Sequence, residues 1–101
     1  MIGRVWTTRV TEARAAEYQA FAREISLPMF HQQPGFLGVA MFRRGEECVV
    51  LTLWQDAASV AALTRSESRT RTVSEILATG FLQGDQTLET YDVHLHADLP
   101  T

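Results

Sequence analysis

The chain has 101 residues, a formal net charge of -3, 46% hydrophobic residues and 21% charged ones. The basic excess that marks a nucleic-acid binder is missing, and no apolar run approaches the roughly 20 residues of a membrane-spanning helix. A single cysteine, Cys48, excludes an intramolecular disulfide, and its place in an apolar run suits a buried thiol rather than a nucleophile.

The length predicts one domain over residues 1–96 and a short tail at 97–101. A domain this small buries only about 60–65% of its unfolded surface, so association would help it. The nine cationic residues are all arginine, and asparagine is absent; such usage suits a GC-rich bacterial coding sequence. The N-terminal MIGRVWTTRV lacks the apolar stretch of a signal peptide, which makes the cytoplasm the expected compartment.

Ile2 to Val10, rich in β-branched and aromatic residues, reads as a first strand. Thr11 is positioned to cap a helix from Glu12 to about Gln32, whose apolar positions Ala15, Tyr18, Ala22, Ile25 and Met29 recur at three and four, with Phe21 widening the stripe. Pro28 is expected to kink this helix or end its first segment, and Pro34-Gly35 to stop it. Phe36 to Arg43 and Glu47 to Gln55 read as a hairpin around Arg44-Gly45-Glu46. Asp56 caps a helix through Ala57, Val60, Ala61 and Leu63. The polar piece Thr64 to Thr72 precedes a further helix through Val73, Ile76 and Leu77 that closes at Gly80. Gly84-Asp85 makes a turn, and Thr87 to His96 reads as the last strand. The order is strand, helix, strand, strand, helix, strand. It predicts an α+β, ferredoxin-like split βαβ fold with a four-stranded antiparallel sheet.

A sheet with helices on one side should be apolar on that side and polar on the other. Here Cys48, Val50, Thr52 and Trp54 share one face of the third strand, while Val49, Leu51 and Leu53 share the other. The second strand sets Phe36, Gly38, Ala40 and Phe42 against Leu37, Val39 and Met41. Both faces are apolar, and helices cover only one. An open apolar face of several hundred Å² exceeds what monomers usually carry, so a homodimer is expected, its two sheets packed into a dimeric α/β barrel.

The segments QQPGFLGVAMFRR, EECVVLTLWQDAASVAAL, SEILATGFLQG and ETYDVHL together resemble the antibiotic biosynthesis monooxygenase family, a branch of the dimeric α+β barrel superfamily. The resemblance spans about Ile2 to Leu95. It implies a cofactor-independent monooxygenase, an oxidoreductase acting on a small aromatic or phenolic substrate in a cleft between sheet and helices. Its tryptophan at the end of the third strand, which lines that cleft, maps onto Trp54. The family's enzymes also use an asparagine, absent here, and the haem degraders of the superfamily use a histidine after the tryptophan strand, absent from Ser66 to Ile76. Haem handling is therefore disfavoured. A non-catalytic dimer that binds a small aromatic or hydrophobic molecule is the alternative.

Trp54 is either a core plug or a cleft wall whose N–H donates to substrate. His31 is the lone histidine placed to act as a base near pH 7, unless it is a surface residue. Trp6 and Thr8 share parity with Arg4 and form a second wall if that face meets the helices. Tyr18, Phe21, Ile25 and Phe30 lie on the inner side of the first helix, as core or as pocket. Val50 and Thr52 share the Trp54 face, and Val73 opens the last helix. Arg69, clustered with Arg65 and Arg71, is either a solvated helix residue or a donor favouring an anionic or phenolate substrate. His94 and His96, with Asp92, offer an H-x-H pair without a third ligand, so no metal and no cofactor is expected.

Overall fold

β-Branched and aromatic residues alternating along Ile2–Arg9, Phe36–Arg44 and Glu47–Trp54 form β1, β2 and β3, and Gln83–Asp92 forms β4, in a computed structural model that describes residues 1–98. All pairings are antiparallel, in the order β2-β3-β1-β4. Helices α1 (Ala15–Phe21), α2 (Leu27–His31), α3 (Ala57–Thr64) and α4 (Glu67–Thr79) complete the element order. This is the expected α+β, ferredoxin-like arrangement. Residues 99–101 of the expected tail lie outside the described residues; Ala97 and Asp98 are exposed. No helix among the described residues is long and apolar enough to cross a membrane.

The helices cover the face that carries Cys48, Val50, Thr52 and Trp54, all buried, while Val49, Leu51 and Leu53 on the other face stay half-exposed. Two core clusters form beneath the helices. One joins Val10, Tyr18, Phe21, Cys48 and Phe81, and the other joins Met29, Trp54 and Leu63. A Cβ at Gly35, whose φ is +77°, would collide with the Ser59 side chain, so this turn requires glycine.

Four boundaries differ from expectation. The first helix is not one regular rod: a 3-10 turn at Glu12–Arg14 leads into α1, and a π-helical segment at Ala22–Ser26 separates α1 from α2. Thr11 makes no side-chain capping bond. Pro28, which has no N–H to give, sits in the first turn of α2, after the pitch has widened, and the helical run continues to His31.

The polar segment 64–72 is mostly helical. Ser66 Oγ accepts from the Arg69 N–H at 3.3 Å and starts α4 at Glu67. Its polarity reflects solvent on one side rather than a break in structure. In β2 the register shifts between Phe36 and Gly38. The extra residue reverses parity: Phe36 lies with Val39 and Met41 on the helix side, not with Gly38, Ala40 and Phe42 as strict alternation predicts. Finally, β4 runs four residues earlier than expected. Gly84, with φ +69°, takes the Gly84-Asp85 bend within the strand, where pairing with β1 shifts between Thr7 and Arg9. His94 and His96 fall outside it, exposed, and no group of three His, Cys, Asp or Glu side chains that could hold a metal occurs among the described residues.

Candidate functional site

A cavity of about 310 Å³ lies between the sheet and the helical layer, within the range of small-molecule sites. Its floor is the inner face of the sheet. β1 contributes Arg4 and Trp6, β3 contributes Val50 and Thr52, and β4 contributes Leu88, with Gln86 and Thr87 at its edge. Its roof is Met29 and Phe30 of α2 with Val73, Ile76 and Leu77 of α4, and Arg69 enters from the first turn of α4. Ser26, the last residue of the π-helical segment, also lines it; such segments recur at functional sites. Strand pleating explains the floor. Arg4 pairs with Thr52 and Trp6 with Val50 across the β1–β3 ladder, so these four side chains project to one side.

Arg4 is the unusual member. It is only 8% exposed, and its Nε has no hydrogen-bond partner among the described residues. Burial, reinforced by the charge of Arg69, lowers the pKa of its guanidinium. Three other arginines, Arg9, Arg14 and Arg44, pair with glutamates. No carboxylate is among the described residues that line the cavity. Its polar side chains include two cations, the four hydroxyls of Ser26, Thr52, Thr72 and Thr87, and one glutamine. The remaining walls are apolar.

Trp54 does not line the cavity. It is 0% exposed, and its Nε1–H donates to Thr52 Oγ1 at 2.8 Å. Its ring meets Phe36 and Phe30 edge-on, with centroids 5.5 and 6.3 Å away, while Phe30 and Phe36 stack at 5.6 Å. Of the two readings left open for Trp54, its burial and its engaged N–H fit the core plug. It stands behind the cavity, against the lining residues Thr52, Phe30, Met29 and Leu63. Because Thr52 accepts that bond, its own hydroxyl hydrogen remains free to donate.

His31 fits the surface reading left open for it. It is exposed at the end of α2, edge-on to Phe36 at 5.4 Å, and does not line the cavity. Tyr18, Phe21 and Ile25 belong to the other core cluster. Desolvation, with the nearby Cys48 adding to it and Arg43 opposing, pushes the Tyr18 phenol up to about 12. Thr8 is buried at 1% and accepts from Gln86 Nε2 at 3.5 Å. The structure therefore brings Trp6, Phe30, Val50, Thr52, Arg69 and Val73 to one cavity and leaves Trp54, His31, Thr8, Tyr18, Phe21 and Ile25 outside it. Sequence reasoning missed Arg4, although a cation at the parity of Trp6 and Thr8 was a visible signal. Gln86 was hidden by the misplaced start of β4, whereas Leu88 fell inside the expected strand without being singled out.

The model of the antibiotic biosynthesis monooxygenase family matches residues 1–75. The chain belongs to that family. Solved structures agree on the fold. A mutant of SnoaB, a cofactor-independent oxygenase from Streptomyces nogalater, shares 17% identity at a TM-score of 0.75, covering 96% of each chain. A structure described as an antibiotic biosynthesis monooxygenase shares 20% identity at a TM-score of 0.72, covering 92% of this chain and 98% of its own. A conserved protein from Methanosarcina mazei Go1 shares 16% at 0.74, covering 89% of each. No curated protein matches the sequence.

Proposed function

We propose that this protein is a cofactor-independent monooxygenase that oxidises a small aromatic or phenolic substrate in the cavity between sheet and helices. The observation that carries this reading is the cavity itself: about 310 Å³, apolar-walled, with cationic donors at one end. An electron-rich phenolate or enolate passes one electron to O₂. The substrate radical and superoxide combine at carbon, and the peroxide takes up a proton. Loss of water then leaves a carbonyl, so that CH₂ and O₂ become C=O and H₂O. An apolar pocket with fixed donors favours each charged species over its dispersal in water. The decisive experiment is oxygen uptake with anthrone and a panel of hydroquinones. The wild type is expected to consume oxygen, and Val73→Trp, which fills the cavity, to lose uptake while keeping its circular dichroism spectrum. Absence of uptake with every panel member would falsify the reading.

A second reading, a non-catalytic binder, is favoured by one observation: no lining side chain is a base near neutral pH. Saturable binding of the same compounds without oxygen uptake would select it. In either case the protein acts as a homodimer, with the half-exposed face of Val49, Leu51 and Leu53 against its twin. Phe42, 55% exposed opposite Val49, and Tyr91, 52% exposed, widen that apolar face.

A further inference from the structure

We propose that the cavity takes its ligand as an anion, a planar aromatic carboxylate or phenolate whose charged oxygen sits between Arg4 and Arg69 while its apolar body lies against Trp6 and Phe30. This deepens the functional reading and rests on the cavity being the ligand site.

The central fact is a buried cation without a counter-ion. Arg4 is 8% exposed, its Nε is unpartnered among the described residues, and its side chain lines the cavity. Buried charges are ordinarily paired or hydrogen-bonded, because leaving them otherwise is costly. A second guanidinium, Arg69, lines the same space, and no described lining residue is a carboxylate. The two cations repel, and Arg69 helps to lower the pKa of Arg4. An incoming anion relieves both the repulsion and the missing hydrogen bonds. The planar fork of a guanidinium matches a carboxylate in two parallel bonds or a phenolate in one strong bond. Thr52, neighbour of Arg4 across the ladder, has a hydroxyl hydrogen to add, since Trp54 holds its oxygen as an acceptor. Trp54 is thereby a positioning residue. The arrangement also removes the need for a protein base. A site that binds the anion much more tightly than the neutral acid draws the proton off into water, and each tenfold preference lowers the ligand's pKa by about one unit.

The test is calorimetric titration at pH 7 with 2-naphthoate and its neutral isostere 2-naphthamide, using the wild type, Arg4→Met and Arg69→Met. The wild type is expected to bind the acid at least about tenfold more tightly. Arg4→Met should bring the two within about twofold while retaining the amide's affinity, and Arg69→Met should narrow the ratio. Equal binding of acid and amide by the wild type overturns the proposal and leaves the cavity reading standing. Failure of both to bind removes both. An acid preference that survives both substitutions also overturns it, by assigning charge recognition elsewhere. If Arg4→Met does not fold, an unchanged ratio in Arg69→Met is the overturning result. An intact preference without oxygen uptake removes only the oxygenase.

Discussion

Arg4 is a side chain whose cost to folding is the counterpart of the anion site proposed for it. A buried donor without a partner costs about 1–3 kcal/mol, and the neighbouring Arg69 adds repulsion. Arg4→Met keeps the length and apolar stem of the side chain and removes the charge. The variant is expected to be more stable than wild type by about 1–3 kcal/mol in urea titration; a loss of similar size would mean that the guanidinium supports the fold. Tyr18 behaves differently, because its cost appears only in alkali. Its pKa is raised from 10.0 to about 12, chiefly by burial. The neutral phenol is the form the core accepts, so its contribution is complete below pH 10 and is lost as pH rises from 10 towards 12. That loss is about 2–3 kcal/mol. Urea midpoints at pH 9 and 11.5 should fall farther apart in the wild type than in Tyr18→Phe.

At the scale of elements, the start of α4 decides where Arg69 stands. The Ser66 side chain accepts from the Arg69 N–H and also contacts Ser68 Oγ at 2.9 Å, which in turn accepts from Gln33 Nε2 at 3.0 Å. This chain ties the helix start to the end of α2. Ser66→Ala is expected to cost about 1 kcal/mol in thermal or urea unfolding, and no loss would mean that Ser68 or solvent replaces the cap. Helix periodicity could not reveal this start, since Glu67 to Thr72 is almost wholly polar and carries no apolar stripe. The strands were more legible. Alternation alone assigned Cys48, Val50, Thr52 and Trp54 to one side, and that side proved to be the helix-covered one. Alternation failed at Leu37, where one inserted residue sends Phe36 inward, and at β4, where Gly84 bends the strand instead of ending it. Neither irregularity changes the composition of the segment, so nothing local announces it. The site was half legible for the same reason: Trp6, Val50 and Thr52 follow from parity. Whether Trp54 borders a void or fills one depends on where its N–H finds a partner.

For the whole molecule, the open face of the sheet sets the expected assembly. Phe42, Val49, Leu51, Leu53 and Tyr91 form an apolar surface that the helices do not reach. Sedimentation at micromolar concentration is expected to give twice the 11.3 kDa chain mass. Leu51→Asp, in the middle of that surface, should return the monomer, because a charge there faces its own copy across a desolvated interface. A wild-type monomer would remove the dimer and require another cover for this face.

Pleating lets one strand serve two masters. Along β3 every even position looks into the cavity or the core behind it, and every odd position looks outward. Deep mutational scanning with separate scores for ligand capture and self-association should therefore yield phenotypes that swap at each successive codon from 48 to 54. Evolution could retune what the chamber accepts without disturbing the company the molecule keeps.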